Sequence, residues 1–530
     1  MEAWDVVVVG GGSAALRAAI SASDAGSRVT VLCSGALSSD TDGVAPSGLA
    51  ASIGETDHTG HAADTIRVGA DLCERDVVAT STASAAAHLA ELERWGLVLR
   101  RAGNGLPHLG HLPGQSNGRT ANTGDSTPRE VRGILEEQCI KRNIPRRGDI
   151  EVLDLVMTEG GARGLIAMNI QTGEIFGVQS RSIILAGEGY ESAWNGDGVG
   201  MGAAASLALR SGIALADLEF TTLHPLTVKD GGLQLPLDLL GAGGVVNGPD
   251  GQPLPTDDGP EALGRAILAA GGASLDITNI LRTDQPWFAG IHDALSTSCG
   301  IDASAMGIPL MPTVAMTIGG IPTDSSGRVV DSDWGVAVPG LFAAGDAACS
   351  GLHGAVVNSG DRLLGALSSG VAAGASASEH AESAKFSGSA AISTALSEAH
   401  HLHDTVLSEA GNGGTGAGAL LASLAATMRA HMGTSRDATG LATAAAEIRT
   451  LRKSEFGITD SSPVMNTELV TMRRTQGLLA IAEAAVICAN AREESRGSHT
   501  RSDHPESDAN QIHHSLASGD GSSGTLALRN

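Results

Sequence analysis

The first residues whose types and spacing suggest chemistry are the small ones that follow an N-terminal run of valines. Gly10, Gly12 and Ala15 come directly after the apolar residues 5–9, and an alanine-rich segment comes after them. A turn without bulky side chains lets backbone N–H groups and the positive end of a helix face a pyrophosphate. The spacing therefore predicts a dinucleotide site, with a purely structural glycine-rich turn as the alternative.

The end of the next apolar run, residues 29–32, is unusual for such a site. An acidic residue that holds a ribose hydroxyl commonly stands there, but this chain has Cys33 and Ser34. The absence of that acid weakens an assignment to NAD. We expect Cys33 to be a small buried packing residue, with a reactive thiol as the alternative.

Residues 400–403 read His-His-Leu-His and could offer ligands to a metal ion. A structural zinc site needs four ligands, and no second group of histidines or cysteines stands nearby at ligand spacing. We therefore expect a solvated helical face here and predict no metal site.

The elements that must position the glycine turn form a strand–helix–strand unit. Residues 5–9 are nearly all valine, which is typical of a parallel strand buried on both faces. A helix, a stop at Gly26 and a second strand over 29–32 follow in that order. Residues 181–190 and 338–348 contain further short apolar runs that end in glycine, as strands do where a parallel sheet presents its carboxyl edge to a ligand. The pattern predicts an α/β fold.

The overall composition excludes several classes of function. The 530 residues carry a formal net charge of −25, which repels phosphate backbones and anionic lipids, so we expect no nucleic-acid partner. The six cysteines form no CxxC pair, which indicates reduced thiols. The N-terminus lacks a secretory signal, and no apolar run is long enough to span a bilayer. We therefore predict a cytoplasmic protein of two or three domains.

Several separated motifs point to one family. The motifs are "DLEFTTLHP" at 217–225, "PTVAMTIGGIPT" at 312–323, "VPGLFAAGDAACSGLHGA" at 338–355, "NTELV" at 466–470 and "REESRGSHTRSDHPESD" at 492–508. Together they resemble the flavoprotein subunit of succinate dehydrogenase and fumarate reductase, with L-aspartate oxidase as a close relative. The last two motifs are more similar to the respiratory subunit than to the oxidase.

The resemblance implies FAD as the dinucleotide and a discontinuous Rossmann-like FAD-binding domain with an inserted capping domain and a helical C-terminal domain. The predicted limits are 1–225 and 312–375 for the FAD-binding domain, 226–311 for the capping domain, 376–495 for the helical domain and 496–530 for a mostly exposed tail.

By motif position, the resemblance also implies which residues surround the flavin. They are Gly10, Gly12, Ser13, Ala14, Ala15, Cys33, Ser34, Thr41, Gly48, Asp197, Asp346, His353, Arg362 and Leu363. His353 could equally contact substrate or serve the structure.

Several of these positions differ from the family pattern. Asp346 stands where the family has Glu, Asp361 and Arg362 replace Asn-Ser, and Glu188 replaces a glycine. Thr41 stands at the position of the histidine that carries FAD covalently in respiratory members. We therefore predict noncovalent FAD, whose lower potential would favour the reduction of fumarate.

The substrate site that the resemblance implies is only partly present. His224 corresponds to one substrate histidine, and Arg265 to the proton-carrying arginine, with a solvated helix-face arginine as the alternative for Arg265. The family's Thr-Glu pair, clamp arginine and second histidine fall on residues that carry no such groups: Pro236, Leu237, Val357 and Ala315.

The predicted function is hydride transfer between FAD and a dicarboxylate such as succinate or fumarate. Electrons would pass to an iron-sulfur subunit, and membrane anchor subunits would hold the complex peripherally at the cytoplasmic face. A same-fold flavoprotein with an altered substrate, as in L-aspartate oxidase, and a non-catalytic assembly or electron-transfer subunit are the alternatives. We expect Glu219, His499 and Arg501 to serve packing, with a functional role as the alternative for each.

Overall fold

A mixed sheet built around five parallel strands forms the centre of the protein. This computed structural model describes residues 2–37, 47–53, 57–230, 232–331 and 336–529. Val6, Val7 and Val8 are fully buried, because their strand has neighbours on both edges and helices or strands on both faces. The parallel strands, in spatial order, are Arg146–Arg147, Val29–Leu32, Glu2–Val9, Ile175–Leu185 and Ala337–Ala343.

The register aligns the carboxyl ends of the three inner strands. Val9 lies beside Leu32 on one side and beside Leu185 on the other. Ligand sites in parallel sheets form where such ends meet. The glycines that follow these strands therefore lie at one edge of the sheet, as the sequence predicts.

Two helices cover one face of the sheet and pack closely on each other. Ser13–Asp24 contacts Asp361–Ser383 over its length. A Cβ atom at Gly374 would lie 2.3 Å from the Ala18 carbonyl oxygen, so glycine is required for this approach. On its other edges the sheet is extended by the antiparallel strands Ile150–Thr158, Gly161–Asn169 and Arg328–Val330.

The inserted region has its own small sheet and apolar core. The core includes Leu226, Leu239, Leu263 and Phe288. The antiparallel pair Thr221–His224 with Thr313–Thr317 leads into and out of it. Its strands are Val245–Asn247, Ala273–Asp276 and Ile308–Leu310, and its helices are Asp238–Gly241, Pro260–Ala269, Thr278–Thr283, Gln285–Trp287, Ala289–Ala294 and Leu295–Cys299.

Helices dominate the C-terminal part of the described chain. They are Ser389–Ser408, Ala417–His431, Ala438–Arg452, Thr467–Ala491 and the short Ala509–Gln511. The remaining elements of the chain are the strands Leu49–Ala50, Leu109–Gly110, Thr120–Ala121, Leu215–Ala216, Ile321–Pro322 and Ala348–Cys349, and the helices Asp57–Val68, Arg75–Trp95, Thr127–Lys141, Ser192–Asn195, Ala203–Arg210 and Gly345–Ala347.

Two strands join part of the C-terminal tail to the body of the protein. Strands His513–Ala517 and Ser523–Ala527 pair with each other, and the first also pairs with Leu215–Ala216. His514 and Ser515 are buried there. Most of the other described residues over 502–529 are exposed. The sequence did not reveal the buried strand, because its pairing joins residues far apart in the chain. No helix among the described residues is long and apolar enough to cross a membrane.

Candidate active site

The turn after the first strand brings two strand ends into contact. Gly10 has φ +134°, and a Cβ atom there would lie 2.0 Å from the carbonyl oxygen of Ala186. The Gly10 N–H donates to Leu32 at 2.9 Å, and Ala186 donates to Val9 at 2.8 Å. Gly12 caps the helix that begins at Ser13, and no side chain caps its first N–H groups. The turn therefore leaves a helix N-terminus for an anion.

A long cavity begins at this turn and follows the carboxyl edge of the sheet. Its lining includes nine of the predicted cofactor residues: Gly10, Gly12, Ser13, Ala14, Ser34, Asp197, Asp346, Arg362 and Leu363. Its lining also includes Ile150, Val152 and Ala315. A cavity that contacts the ends of several parallel strands and has a helix N-terminus in its wall fits a dinucleotide such as FAD.

The other predicted cofactor residues lie outside this lining. Ala15 is buried in the helix, and the buried Cys33 thiol faces the carbonyls of Gly35 and Arg147, as expected of a packing residue. The Gly48 N–H donates to the Asp238 carboxylate at 2.8 Å. His353 is partly buried, and its Nε2 lies 3.4 Å from where a Cβ atom at Gly365 would stand. Thr41 falls outside the described residues.

Carboxylates dominate the charge of the cavity wall. Glu188 accepts from the Met201 N–H at 3.0 Å, and the Arg362 Nε donates to Asp346 at 3.1 Å. Glu191 also lines the cavity and is 8% exposed. Burial raises the pKa of the Glu191 carboxyl to about 8, although Arg362 opposes this shift. Glu191 is therefore mostly protonated at neutral pH.

Sequence reasoning missed Glu191. The available signal was its position, three residues after Glu188 in a glycine-rich segment that follows a buried strand.

His224 is buried in the strand pair that leads into the inserted region. Its Nε2 donates to the Leu235 carbonyl at 2.7 Å. Burial lowers the pKa of His224 to about 4. The side chain is thus a neutral imidazole at physiological pH, and it is not among the residues that line the cavity.

Arg265 lies away from the cavity and already has three partners. Its Nε donates to Glu261 at 2.9 Å, and its other nitrogens donate to the carbonyls of Thr434 at 3.1 Å and Ser498 at 2.9 Å. Glu261 in turn accepts from the Leu223 N–H. The guanidinium joins the inserted region to the C-terminal part, so the geometry does not support its predicted role as proton carrier.

Apolar side chains occupy the positions where the family resemblance implies substrate-binding groups. Val357 is 7% exposed and packs in a cluster with Phe220 and Met316. Leu237 belongs to the core of the inserted region. Ala315 does line the cavity, but it offers no polar atom from its side chain. A strongly cationic binding surface for two carboxylates is therefore not formed by these positions.

Residues 5–363 match the family model of the FAD binding domain. The chain belongs to this FAD-binding family. Residues 422–530 match a second model, the fumarate reductase flavoprotein C-terminal region. FAD is therefore the cofactor of the cleft, and the predicted resemblance and fold class are confirmed.

Individual relatives support the same family over the whole chain. The fumarate reductase flavoprotein subunit of Haemophilus influenzae is 27% identical, over 97% of this chain and 91% of that protein. The succinate dehydrogenase flavoprotein subunit of Rickettsia conorii is 27% identical over 97% and 93%. The solved structure of E. coli quinol fumarate reductase FrdA has a TM-score of 0.92 and 25% identity, covering 100% of this chain and 98% of that one.

A buried ion pair joins the flavoprotein's C-terminal part to the FAD-binding part, and further polar contacts connect residues within the C-terminal part. Arg492 donates to Glu219 at 2.7 Å, and both side chains are almost completely buried. His499 contacts Arg436 at 2.8 Å, and Arg501 donates to Asp503 and to the Ala489 carbonyl. These contacts agree with packing roles for Glu219, His499 and Arg501.

One buried group in the described chain has the spacing of a metal site. Ligand atoms of Asp217, Cys349 and His514 lie within 4.8 Å of one another. His514 contacts Asp217 through Nδ1 and Glu74 through Nε2. Burial lowers the pKa of His514, but these two carboxylates outweigh it and raise the pKa to about 9. As hydrogen-bonded here, the side chains form an ion-pair cluster around a protonated imidazole.

Proposed function

We propose that this flavoprotein transfers hydride between FAD and a carbon–carbon bond of a small molecule. The observation that carries the proposal is the single cavity that joins the nucleotide turn to Ala315 and the carboxylates near Arg362. A substrate bound near Ala315 and Arg362 would share the cavity with the cofactor. Succinate and fumarate, for which the relatives are named, are the first candidate substrates.

Bound FAD supplies a two-electron acceptor and donor that exchanges hydride with carbon. The protein's part is to bind the cofactor, exclude water and manage the proton that accompanies the hydride. The turn at Gly10 and Gly12 would hold the pyrophosphate at the helix N-terminus. Arg362 and Asp346 form an ion pair in the cavity wall.

Glu191 is the proposed proton carrier. It lines the cavity, and it holds a proton at its carboxyl oxygen below about pH 8. During reduction of a double bond, the hydride would reach one carbon and the Glu191 proton the other. A solvent proton would then restore Glu191. Arg265, tied to Glu261, Thr434 and Ser498, is not needed for this step.

We further propose that FAD is held without a covalent bond. Residues 34–53, which contain Thr41, include no histidine. The known chemistry of covalent attachment in the family uses a histidine in this segment, and threonine is not expected to replace it. The predicted domain limits and the predicted contacts of Gly48 and His353 with FAD likewise remain proposals.

The relatives are named as flavoprotein subunits, which supports a partner for this chain. We propose that the partner is an iron-sulfur subunit that exchanges electrons with FAD. Anchor subunits would then place the complex peripherally at the cytoplasmic face of a membrane.

Rapid mixing tests the proposed reaction. The purified flavoprotein is photoreduced without oxygen and mixed with fumarate, and the return of the visible flavin absorbance is followed. We expect reoxidation by a conjugated double bond to exceed the rate in buffer alone. Reoxidation by oxygen only, with no effect of any activated alkene, would contradict the proposal.

A further inference from the structure

The cavity that the flavin and the substrate would share carries an excess of negative charge. Glu188, Asp197 and Asp346 line it with acidic side chains, and Glu191 lines it in its neutral, protonated form. Among the described residues of the lining, Arg362 alone has a cationic side chain, and it donates to Asp346. The residues that the structure does not describe include no arginine, lysine or histidine that could add a positive charge. A dianion would thus enter a wall with more acids than bases.

Hydrogen-bond donors are also scarce in this cavity. Of the two neutral amides that line the cavity, Asn195 donates to the Val314 carbonyl at 3.2 Å and Gln234 donates to the Thr313 hydroxyl at 3.4 Å. The His224 N–H nearby is committed to a carbonyl. The other acidic side chains of the lining add acceptors. Apart from the Glu191 proton, the acidic and amide side chains of the wall therefore offer acceptors rather than donors.

Apolar side chains occupy the positions at which the family resemblance implies groups that bind a second carboxylate. Val357 packs with Phe220, Met316 and Leu72 in an apolar cluster outside the cavity lining, and Ala315, which does line the cavity, presents only a methyl group. A carboxylate placed against this surface would lose its hydration without gaining a partner, which is costly. A neutral group would not meet this penalty.

We propose that the substrate of this site carries at most one carboxylate and places a neutral or cationic N–H or O–H donor where a second carboxylate would otherwise lie. This substrate class, such as an unsaturated amide or amine, rests on the proposed hydride transfer at the same cavity. It matches the acceptor-rich wall by hydrogen bonding and avoids the charge repulsion that a dicarboxylate would meet.

Calorimetric titration of the FAD-loaded protein tests the inference with three probes that share one trans double bond. Fumarate has two carboxylates, fumaramate has one carboxylate and one amide, and fumaramide has two amides. We expect at least one of the amides to bind about tenfold or more tightly than fumarate. Tightest binding by fumarate, or binding by none of the three, would overturn the inference.

A matched pair of variants tests the electrostatic cause. Asp197 and Asp250 are both exposed and each accepts the N–H two residues later, but only Asp197 lines the cavity. Asp197→Asn should tighten fumarate binding roughly threefold and leave fumaramide binding within about twofold, and Asp250→Asn should change neither. Equal effects of the two variants on fumarate would count against the argument.

Reoxidation of the reduced flavin by the same probes separates the two proposals. If fumaramide binds most tightly but no probe reoxidises the flavin, the proposed hydride transfer fails while the charge preference stands. If fumarate binds most tightly and reoxidises the flavin fastest, the charge preference fails while the proposed function stands.

Discussion

Replacing Gly10 by alanine should release FAD, and a second glycine provides the control. Gly10 and Gly26 both have positive φ, +134° and +97°. An alanine in such a conformation costs roughly 1–2 kcal/mol at either site. At Gly26 the added Cβ would meet nothing within 4 Å, but at Gly10 it would lie 2.0 Å from the Ala186 carbonyl oxygen. Only the Gly10→Ala variant therefore forces backbone to move.

The size of the effect follows from what must move. Both contacting atoms belong to backbone or to Cβ, so no side-chain rotation can relieve the overlap. Separating the strand ends would weaken the 2.8 Å hydrogen bond from Ala186 to Val9, worth about 1 kcal/mol. With overpacking of about 1–3 kcal/mol, we expect a total cost of roughly 3–6 kcal/mol at Gly10. The helix N-terminus would also shift away from the pyrophosphate.

The assay is the FAD content of each purified variant together with its urea unfolding midpoint. We expect Gly26→Ala to keep a full complement of FAD with a small loss of stability. We expect Gly10→Ala to retain little FAD and to unfold at clearly lower urea. Equal FAD content and equal midpoints for the two variants would refute the reasoning about the turn.

Two further predictions concern buried charges. The pKa of Glu191 is about 8 in the folded protein, against an ordinary 4.5. Its stabilising contribution is therefore complete below pH 4.5 and is lost as the pH rises from 4.5 to 8. The free energy of unfolding should fall by roughly 5 kcal/mol over this range. Glu191→Gln should therefore flatten the fall in stability with pH, measured by urea unfolding. Replacement of the exposed Glu159, Glu159→Gln, should reproduce the curve of the parent protein. Parallel curves for all three proteins would show that Glu191 is not the cause of the pH dependence. Arg492→Met should cost about 3–5 kcal/mol by leaving Glu219 buried without its cation, and Glu219→Gln should recover part of that loss. Lys141→Met, which breaks an exposed ion pair, should cost under about 1 kcal/mol of stability. Equal losses of stability in Arg492→Met and Lys141→Met would show that burial does not determine the cost of breaking an ion pair.

The sequence predicted best those features that depend on neighbours in the chain. The valine run, the glycine turn and the next strand occur within the first 32 residues, and their order alone indicates the nucleotide turn. Ala315 and Val357 could also be assigned, since flanking motifs fix their positions. The apolar environment that the structure shows at Val357 agrees with the loss of an arginine there.

Features that depend on distant partners could not be predicted in the same way. Arg265 has the right residue type, but Thr434 and Ser498, far along the chain, determine where its guanidinium lies. The strand His513–Ala517 could not be predicted, because its pairing partner Leu215–Ala216 lies about 300 residues earlier in the chain. Glu191 shows no periodic signal, and only the folded cavity reveals its burial.

The FAD content of the purified protein after acid precipitation tests the central claim most directly. We predict one FAD for each chain, found in the supernatant, because the segment that contains Thr41 offers no histidine for a covalent bond. Flavin that stays with the precipitated protein would contradict noncovalent binding. A purified, folded protein that contains no flavin and takes up none from added FAD would contradict the claim that this cavity is an FAD site.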